Sequence, residues 1–412
     1  MRQLYIMFCF SDTFGGGQSY VNTKVKWLEK RNWDVIIFSA VEDFSNKLES
    51  PWDALRKYRC YRSEMFNHSP EYCGKRLTNR TLDWMQNAIG TSYGKVVIES
   101  HTDFFAEWGE LLAKRIRAKH ICYLLDEKLE LYGAKEFLYY KYLRGEIAGI
   151  APSSLKRLFD GYIEISEDKK YVLRASHEES VKEVENEQLN KLEKEDYTVA
   201  YMGRSKQYCA NIVQGIKSFA QRHNDKTIQF VIMGKINDLS VLQNINNIRV
   251  VELGFLNPIP KAFFTKVDAV IAGAGCATIA ANNGAYTIVA DAASCLASGV
   301  LGYTVQTTLF SERQGTPFEN ELENVLVRKL YDKQVCQFHV MSEVDKSFQK
   351  HFDFINASAK QLDYFDFDVN PQNNIPLRGK RDIYNRFRYI VLPDITWECM
   401  KKQRKWQCNE RK

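Results

Sequence analysis

The feature that most constrains this chain is a recurring pattern: a short apolar run, a glycine or polar loop, then apolar residues at helical spacing. Leu4 to Phe10 is the first such run, and its lack of polar alternation marks a strand buried on both faces. Ser11 to Gly17 follows as a glycine loop. Tyr20, Val21, Val25 and Leu28 then recur at helical spacing before the next run, Asp34 to Ala40. This is one βαβ unit. Lys95 to Glu99, a helix face of Phe104, Phe105, Trp108, Leu111, Leu112 and Ile116, and Ile121 to Leu125 form another. Strands alternating with helices in this way predict an α/β protein with parallel sheets.

A second series begins after residues 176–196, where the composition turns to Glu, Lys and Asn, as at a solvated domain junction. Thr198 to Met202 ends in Gly203-Arg204, Ile228 to Met233 in Gly234, Ile248 to Leu253 in Gly254, and Ala269 to Ala272 in Gly273. Ile212, Ile216 and Phe219 mark a helix after the first of these. Ligands of open parallel sheets bind at the carboxyl ends of strands, where glycine admits a phosphate close to the backbone. Turn geometry alone also places glycine at strand ends. A chain of 412 residues accommodates two or three domains. The expected division is a domain over 1–176, a junction over 177–196, a second domain over 197–360 and a C-terminal segment over 361–412.

Charge sorts the remaining possibilities. The formal net charge is +6, yet residues 378–412 alone hold eleven Lys or Arg against four acids, a net of +7, so residues 1–377 carry −1. A nearly neutral body argues against a nucleic-acid partner. The basic end, with Trp397 and Trp406, is expected to lie on an anionic membrane surface. Ten scattered cysteines without a CxxC pair predict reduced thiols, and Cys60, His68 and Cys73 fit no usual metal spacing, so no metal is expected. The apolar start lacks a basic flank and a cleavage site, which predicts a cytoplasmic location, peripheral to the inner face of the membrane if the tail binds it. Val270 to Tyr303 has Asp291 as its only charge, but its Asn282-Asn283-Gly284 turn predicts buried strand, loop and helix ends rather than a span.

Two glycine loops are candidates for holding an anion. Gly15-Gly16-Gly17 lies between the first strand and a helix, where free N–H groups and the helix dipole favour negative charge. It is not GxGxxG. An acid about 20 residues on, which a dinucleotide site needs, would be Glu42 or Asp43, and this keeps an NAD-dependent oxidoreductase as a minor alternative. Gly273-Ala274-Gly275-Cys276-Ala277-Thr278 lies between a strand and a short helix, and would offer backbone N–H groups and the Thr278 hydroxyl to a diphosphate. Arg204 and Lys206 would supply the compensating charge.

The order of these segments resembles that of GT-B glycosyltransferases, the nucleotide-sugar-dependent class with two Rossmann-like domains facing across a cleft. The likeness covers most of residues 1–335. Gly15-Gly16-Gly17-Gln18 resembles the glycine loop before the family's first helix. Val97-Ile98-Glu99-Ser100-His101-Thr102-Asp103 resembles a strand ending in His. Tyr201-Met202-Gly203-Arg204 and Phe230-Val231-Ile232-Met233-Gly234 resemble the strands that open the donor domain, 268–291 the donor-phosphate loop and helix, and 319–330 the amphipathic helix that follows. The resemblance implies a nucleoside-diphosphate sugar as donor substrate with no cofactor or metal, and a glycan or lipid-linked acceptor. It implies donor binding by Gly203, Arg204, Lys206, Gly234, Gly254 and residues 273–278. It also implies a terminal segment that crosses back onto the first domain.

Sugar transfer with inversion needs a general base near the acceptor hydroxyl. The candidates at strand ends of the first domain are His101, Asp103 and Asp126, with Glu127 beside the last. Two departures from the family stand out. Cys209 and Ala210 fall where a lysine often follows Gly-Arg. The helix Ile279-Ala280-Ala281-Asn282-Asn283 lacks the glutamate that often binds the ribose. These departures keep open a non-catalytic binding subunit of a glycan-assembly complex as an alternative to an enzyme of polysaccharide biosynthesis.

Overall fold

The computed structural model describes residues 2–11, 15–41, 59–90, 93–126, 128–165, 169–311, 313–333, 336, 338, 343–368 and 380–404. The chain divides into two compact units, one formed by Met1–Glu178 with Glu343–Lys412 and the other by Glu179–Ser342. The first unit is built on six strands: β1 (Arg2–Cys9), β2 (Trp33–Ala40), β3 (Arg59–Ser63), β4 (Tyr93–Ser100), β5 (Lys119–Leu124) and β6 (Ile147–Gly149). They lie in the order β3-β2-β1-β4-β5-β6 with every neighbouring pair parallel, which is Rossmann order. The unbroken apolar run of β1 is explained by its central place. Leu4, Ile6 and Phe8 enter one core, and Tyr5, Met7 and Cys9 enter the core on the opposite face.

Helix α1 (Gly16–Glu29) covers the second of these cores, while α2 (Lys75–Ile89) and α3 (Asp103–Ile116) cover the first. Packing of α3 is close enough to dictate Gly109, because a Cβ there would lie 2.3 Å from Ser100 Oγ. That space is taken by a buried polar group. Ser100 Oγ is 3.0 Å from His120 Nε2, and His120 Nδ1 is 2.7 Å from Glu110 Oε2. Lys141, on α4 (Lys135–Leu143), donates to Glu110 at 2.9 Å and to Glu146 at 2.7 Å. Burial opposes the Glu110 charge, but Lys141 and His120 bring its carboxyl down to about 2.

The second unit repeats the plan. Its main sheet contains β8 (Tyr197–Gly203), β9 (Ile228–Gly234), β10 (Ile248–Gly254), β12 (Ala269–Ala272), β13 (Tyr286–Ala290) and β14 (Ala297–Val300) in the order β10-β9-β8-β12-β13-β14. Only the β13–β14 pair is antiparallel. Val181–Lys182 (β7) and Ile259–Pro260 (β11) pair separately. Helix α5 (Cys209–Arg222) follows β8, and α6 (Ala274–Asn282) joins β12 to β13. The weakly charged 270–303 region is therefore strand, loop and helix of this unit, and among the described residues no helix is long and apolar enough to cross a membrane.

Residues 343–360, expected in the second domain, fold instead in the first unit as α7 (Val344–Ala357) and the turn after it. Phe348, His351, Phe352 and Ile355 form one buried helical face. The Phe348 and Phe352 rings lie 5.5 and 5.4 Å from Trp27, whose Nε1 donates to Asp345 at 2.6 Å. The 319–330 helix is also modified: Phe318–Leu322 is α-helical and Glu323–Val327 is a π turn. Past α7 the chain stays on the first unit, where α8 (Lys380–Val391) and α9 (Pro393–Arg404) bury Tyr389 and Trp397. Asp394 pairs with Arg76 at 2.8 Å and with Arg80. Trp397 is thus a core residue rather than a surface anchor, while Trp406 lies outside the described residues.

Where α1, α7 and β4 meet, Lys24 and Glu99 form a fully buried ion pair. Tyr5 donates to Glu99 Oε2 at 2.7 Å, Tyr20 donates to Oε1 at 3.0 Å, and Lys24 also donates to the Tyr20 hydroxyl at 2.8 Å. His351 Nδ1 is 3.3 Å from Lys24 Nζ, and its Nε2 is 3.1 Å from the Arg174 carbonyl, so the neutral Nε2–H tautomer satisfies both ends. Burial and the nearby Lys24 charge lower the His351 pKa to about 3. Burial works against the Glu99 charge, yet Lys24 and His101 hold the carboxylate well below its ordinary range. Removing one partner leaves an uncompensated buried charge, so Lys24→Met should lower the unfolding free energy by about 3–5 kcal/mol. Lys24→Met/Glu99→Gln should recover part of that loss, as urea denaturation of both variants would measure.

Candidate functional site

In each sheet the chain reverses its direction of travel between two central strands, and ligands of such sheets bind outside the carboxyl ends of that pair. The pair is β1 and β4 in the first unit and β8 and β12 in the second. Most of the sequence candidates lie at these four ends.

In the first unit Gly15 precedes α1 and Gly16 and Gly17 open it, with no acid in the first turn. A Cβ on Gly16 or Gly17 would meet no atom within 4 Å, so packing does not demand glycine at either position. Across the β1–β4 pair, the His101 N–H donates to the Phe8 carbonyl at 3.1 Å, and the His101 ring lies 5.6 Å from Tyr20 on α1. His101 is buried, with Nε2 2.9 Å from Glu99 Oε1. With a carboxylate as partner, Nε2 is the donor of this bond. Helix capping falls to Thr102, whose hydroxyl accepts from Phe105 N at 3.4 Å.

Asp103 accepts from Phe104 N and Gly133 N, each at 2.9 Å. Burial raises its pKa, those backbone bonds offset part of the rise, and the Asp126 charge adds to it. Asp126 follows β5 and is also hydrogen-bonded by Tyr132. The structure therefore brings Asp103, Asp126 and Tyr132 together beside the end of β4, where His101 lies. Glu42, Asp43 and Glu127 lie outside the described residues.

In the second unit the Gly203–Lys206 loop is held by Tyr201 and Cys209, to which sequence reasoning gave no part in shaping it. The Tyr201 hydroxyl donates to the Arg204 carbonyl, Lys206 N donates to Cys209 Sγ at 3.3 Å, and Cys209 Sγ is 3.4 Å from the Tyr201 hydroxyl. Cys209, at the position where lysine is frequent in GT-B enzymes, thus has a loop-building part here. Arg204 is exposed and Lys206 half-buried. The Gly273 loop adjoins them, since a Cβ on Gly273 would lie 3.2 Å from the Tyr208 hydroxyl and 3.0 Å from the Ala290 carbonyl.

Beyond Gly273, Ala274 has a left-handed φ of 49°, uncommon for a residue with a side chain. Helix α6 has no side-chain cap and no acid in its first turn, which suits a bound anion. Gly275 is exposed, with open space where a Cβ would be, Cys276 and Thr278 are half-buried, and Ala277 is a core residue whose side chain faces away from solvent. Gly234 is required by packing between neighbouring strand ends, because a Cβ on it would lie 1.8 Å from the Gly203 carbonyl. Gly254 ends β10 at the far edge of the sheet, away from the β8–β12 pair. Among the described residues no group of three or more His, Cys, Asp or Glu side chains converges as a metal site.

The two Rossmann-like units give the chain a GT-B glycosyltransferase-like fold, and solved structures share it across nearly the whole length. A protein of Listeria monocytogenes described as a UDP-N-acetylglucosamine 2-epimerase is 12% identical, with 89% of this chain and 100% of that one covered at a TM-score of 0.53. A glycosyltransferase of Rickettsia africae is 12% identical over 95% and 99% of the two chains, with a TM-score of 0.53. The Anabaena protein HepE, in complex with UDP and glucose, is 13% identical over 85% and 96%, with a TM-score of 0.51. No protein-family model and no curated protein matches the chain.

Glycine at a helical position that needs none costs stability. Gly275→Ala should therefore raise the unfolding free energy by about 0.5–1 kcal/mol. Chemical denaturation would check this, and a loss of stability would mean that the position needs glycine for its backbone.

Proposed function

We propose that this chain is a glycosyltransferase that moves a sugar from a nucleoside-diphosphate donor to a cell-surface glycan or lipid-linked acceptor. The observation that carries the reading is the meeting of two loops at the β8–β12 switch point: Gly203–Lys206, with an exposed arginine, and the α6 terminus, which has no side-chain cap and an open Gly275. In this reading the donor diphosphate sits on the α6 N–H groups, and Arg204 and Lys206 offset the charge that develops as the sugar leaves. The first unit supplies the acceptor-side chemistry. Asp126 is the general base, with Asp103 and His101 beside it, and no metal or cofactor takes part.

Support for a nucleotide-sugar ligand comes from HepE, which holds UDP and glucose on the same fold. The Listeria neighbour is described as an epimerase, so the fold alone does not choose between transfer and epimerisation. Product analysis distinguishes the two. Transfer releases the nucleoside diphosphate, whereas epimerisation returns a nucleotide sugar.

Isothermal titration with a panel of nucleoside diphosphates should find at least one that binds, and a folded protein that binds none would remove the donor site. Arg204→Ala should weaken that binding by about 1.5–3 kcal/mol, the range for a hydrogen bond to a charged group. Asp126→Asn should keep the affinity while slowing donor turnover by roughly 10²–10⁴-fold. Unchanged turnover would take the base role from Asp126.

A further inference from the structure

Helices α8 and α9 carry large apolar residues on the side that the body does not cover. On α8, Arg386 and Tyr389 are buried, whereas Ile383, Tyr384, Phe387 and Val391, together with Ile395 on α9, are 52–61% exposed. Positions i, i+1, i+4 and i+8 fall on one helical face, so the four residues of α8 make a continuous stripe. Among the described residues no other stretch of this length holds as many exposed large apolar side chains. Single exposed apolar residues are ordinary, but a contiguous patch signals an interaction surface.

The pair of helices is firmly seated. Tyr389 packs 5.8 Å from His68 and 5.9 Å from Tyr72, Trp397 is buried, Asp394 pairs with Arg76, and Thr396 Oγ1 donates to the Arg388 carbonyl at 2.8 Å. An exposed apolar stripe on helices anchored this well is a built face rather than a frayed end.

The occupant follows from charge. Lys380 and Arg381 open α8, Lys401, Lys402 and Arg404 close α9, and the 378–412 segment has a net charge of +7. Two copies meeting along these helices would bring two segments of net charge +7 together, whereas an anionic surface neutralises them. A helix with an apolar face and flanking cations lies in the plane of a bilayer interface, with its apolar side chains at the headgroup boundary. We infer that the α8–α9 face docks on an anionic lipid surface, with Ile383, Tyr384, Phe387, Val391 and Ile395 entering the interface. The residues that enter are these, and Trp397 instead holds the pair to the body. The inference is independent of the donor site and stands or falls separately from it.

Flotation of the full chain with vesicles of phosphatidylcholine, alone or mixed with phosphatidylglycerol, tests the inference. The expected result is binding to the mixed vesicles that weakens with salt and is absent from phosphatidylcholine alone. Ile383→Ser/Phe387→Ser/Val391→Ser should lower the partition coefficient at least tenfold with an unchanged Tm. Phe387→Ser alone, which disturbs the fold least, should lower it roughly three- to tenfold, as expected for one apolar side chain kept in water. Failure of the wild-type chain to bind anionic vesicles would overturn the inference, as would equal binding by the variants. A wild-type dimer in sedimentation velocity that the triple variant dissolves would also overturn it, by assigning the face to a second copy.

Discussion

The buried Lys24–Glu99 pair is the interaction on which the first unit depends. It ties α1 to the end of β4, and through Tyr5, Tyr20 and His351 it includes the central strand and α7. Two charges without water are unfavourable unless each is fully partnered. Here Glu99 accepts from Tyr5, Tyr20, Lys24 and His101, so every element that supplies a partner is held in place. One of those partners is a histidine at the ligand end of the sheet. The same carboxylate that partners the buried lysine therefore fixes the orientation of His101.

The second unit positions its loops with less charge. Among its described buried residues only Glu321 is charged, and the Gly203–Lys206 loop is held by hydrogen bonds from Tyr201 and to Cys209. Two switch points of one topology thus differ in chemistry: carboxylates and a histidine in the first unit, backbone N–H groups and cations in the second. The proposed function rests on that difference, with proton abstraction assigned to one unit and anion binding to the other.

Much of the fold was legible in the sequence because strands buried on both faces appear as unbroken apolar runs. Leu4 to Phe10 and Phe230 to Met233 were such runs, and glycine or polar residues marked their ends. The C-terminal region was less legible. Residues 343–360 follow the second series in sequence, and nothing local shows that Phe348 and Phe352 fill a gap beside Trp27. Trp397 read as a surface aromatic because its neighbours are charged, yet the packing of α9 buries it. Lys24 left one local trace, since it lies four residues from both Tyr20 and Leu28 on an otherwise apolar helix face. A lysine there needs a carboxylate, and only the sheet order brings Glu99 to it.

The sequence by itself determined the strand–loop–helix alternation, the glycines at the switch points and the concentration of positive charge in the last residues. Those are properties of local spacing and composition. Tertiary structure decided which of the strand-end glycines adjoin one another, because β8 and β12 are neighbours while β10 lies at the far edge. It also decided which residues of the basic end turn inward. Tyr389 and Trp397 fill space against the body, and Ile383, Phe387 and Val391 stay in solvent. The physical reason is that burial depends on which surfaces meet, and a helix with apolar residues on two sides can bury only the side that finds a partner.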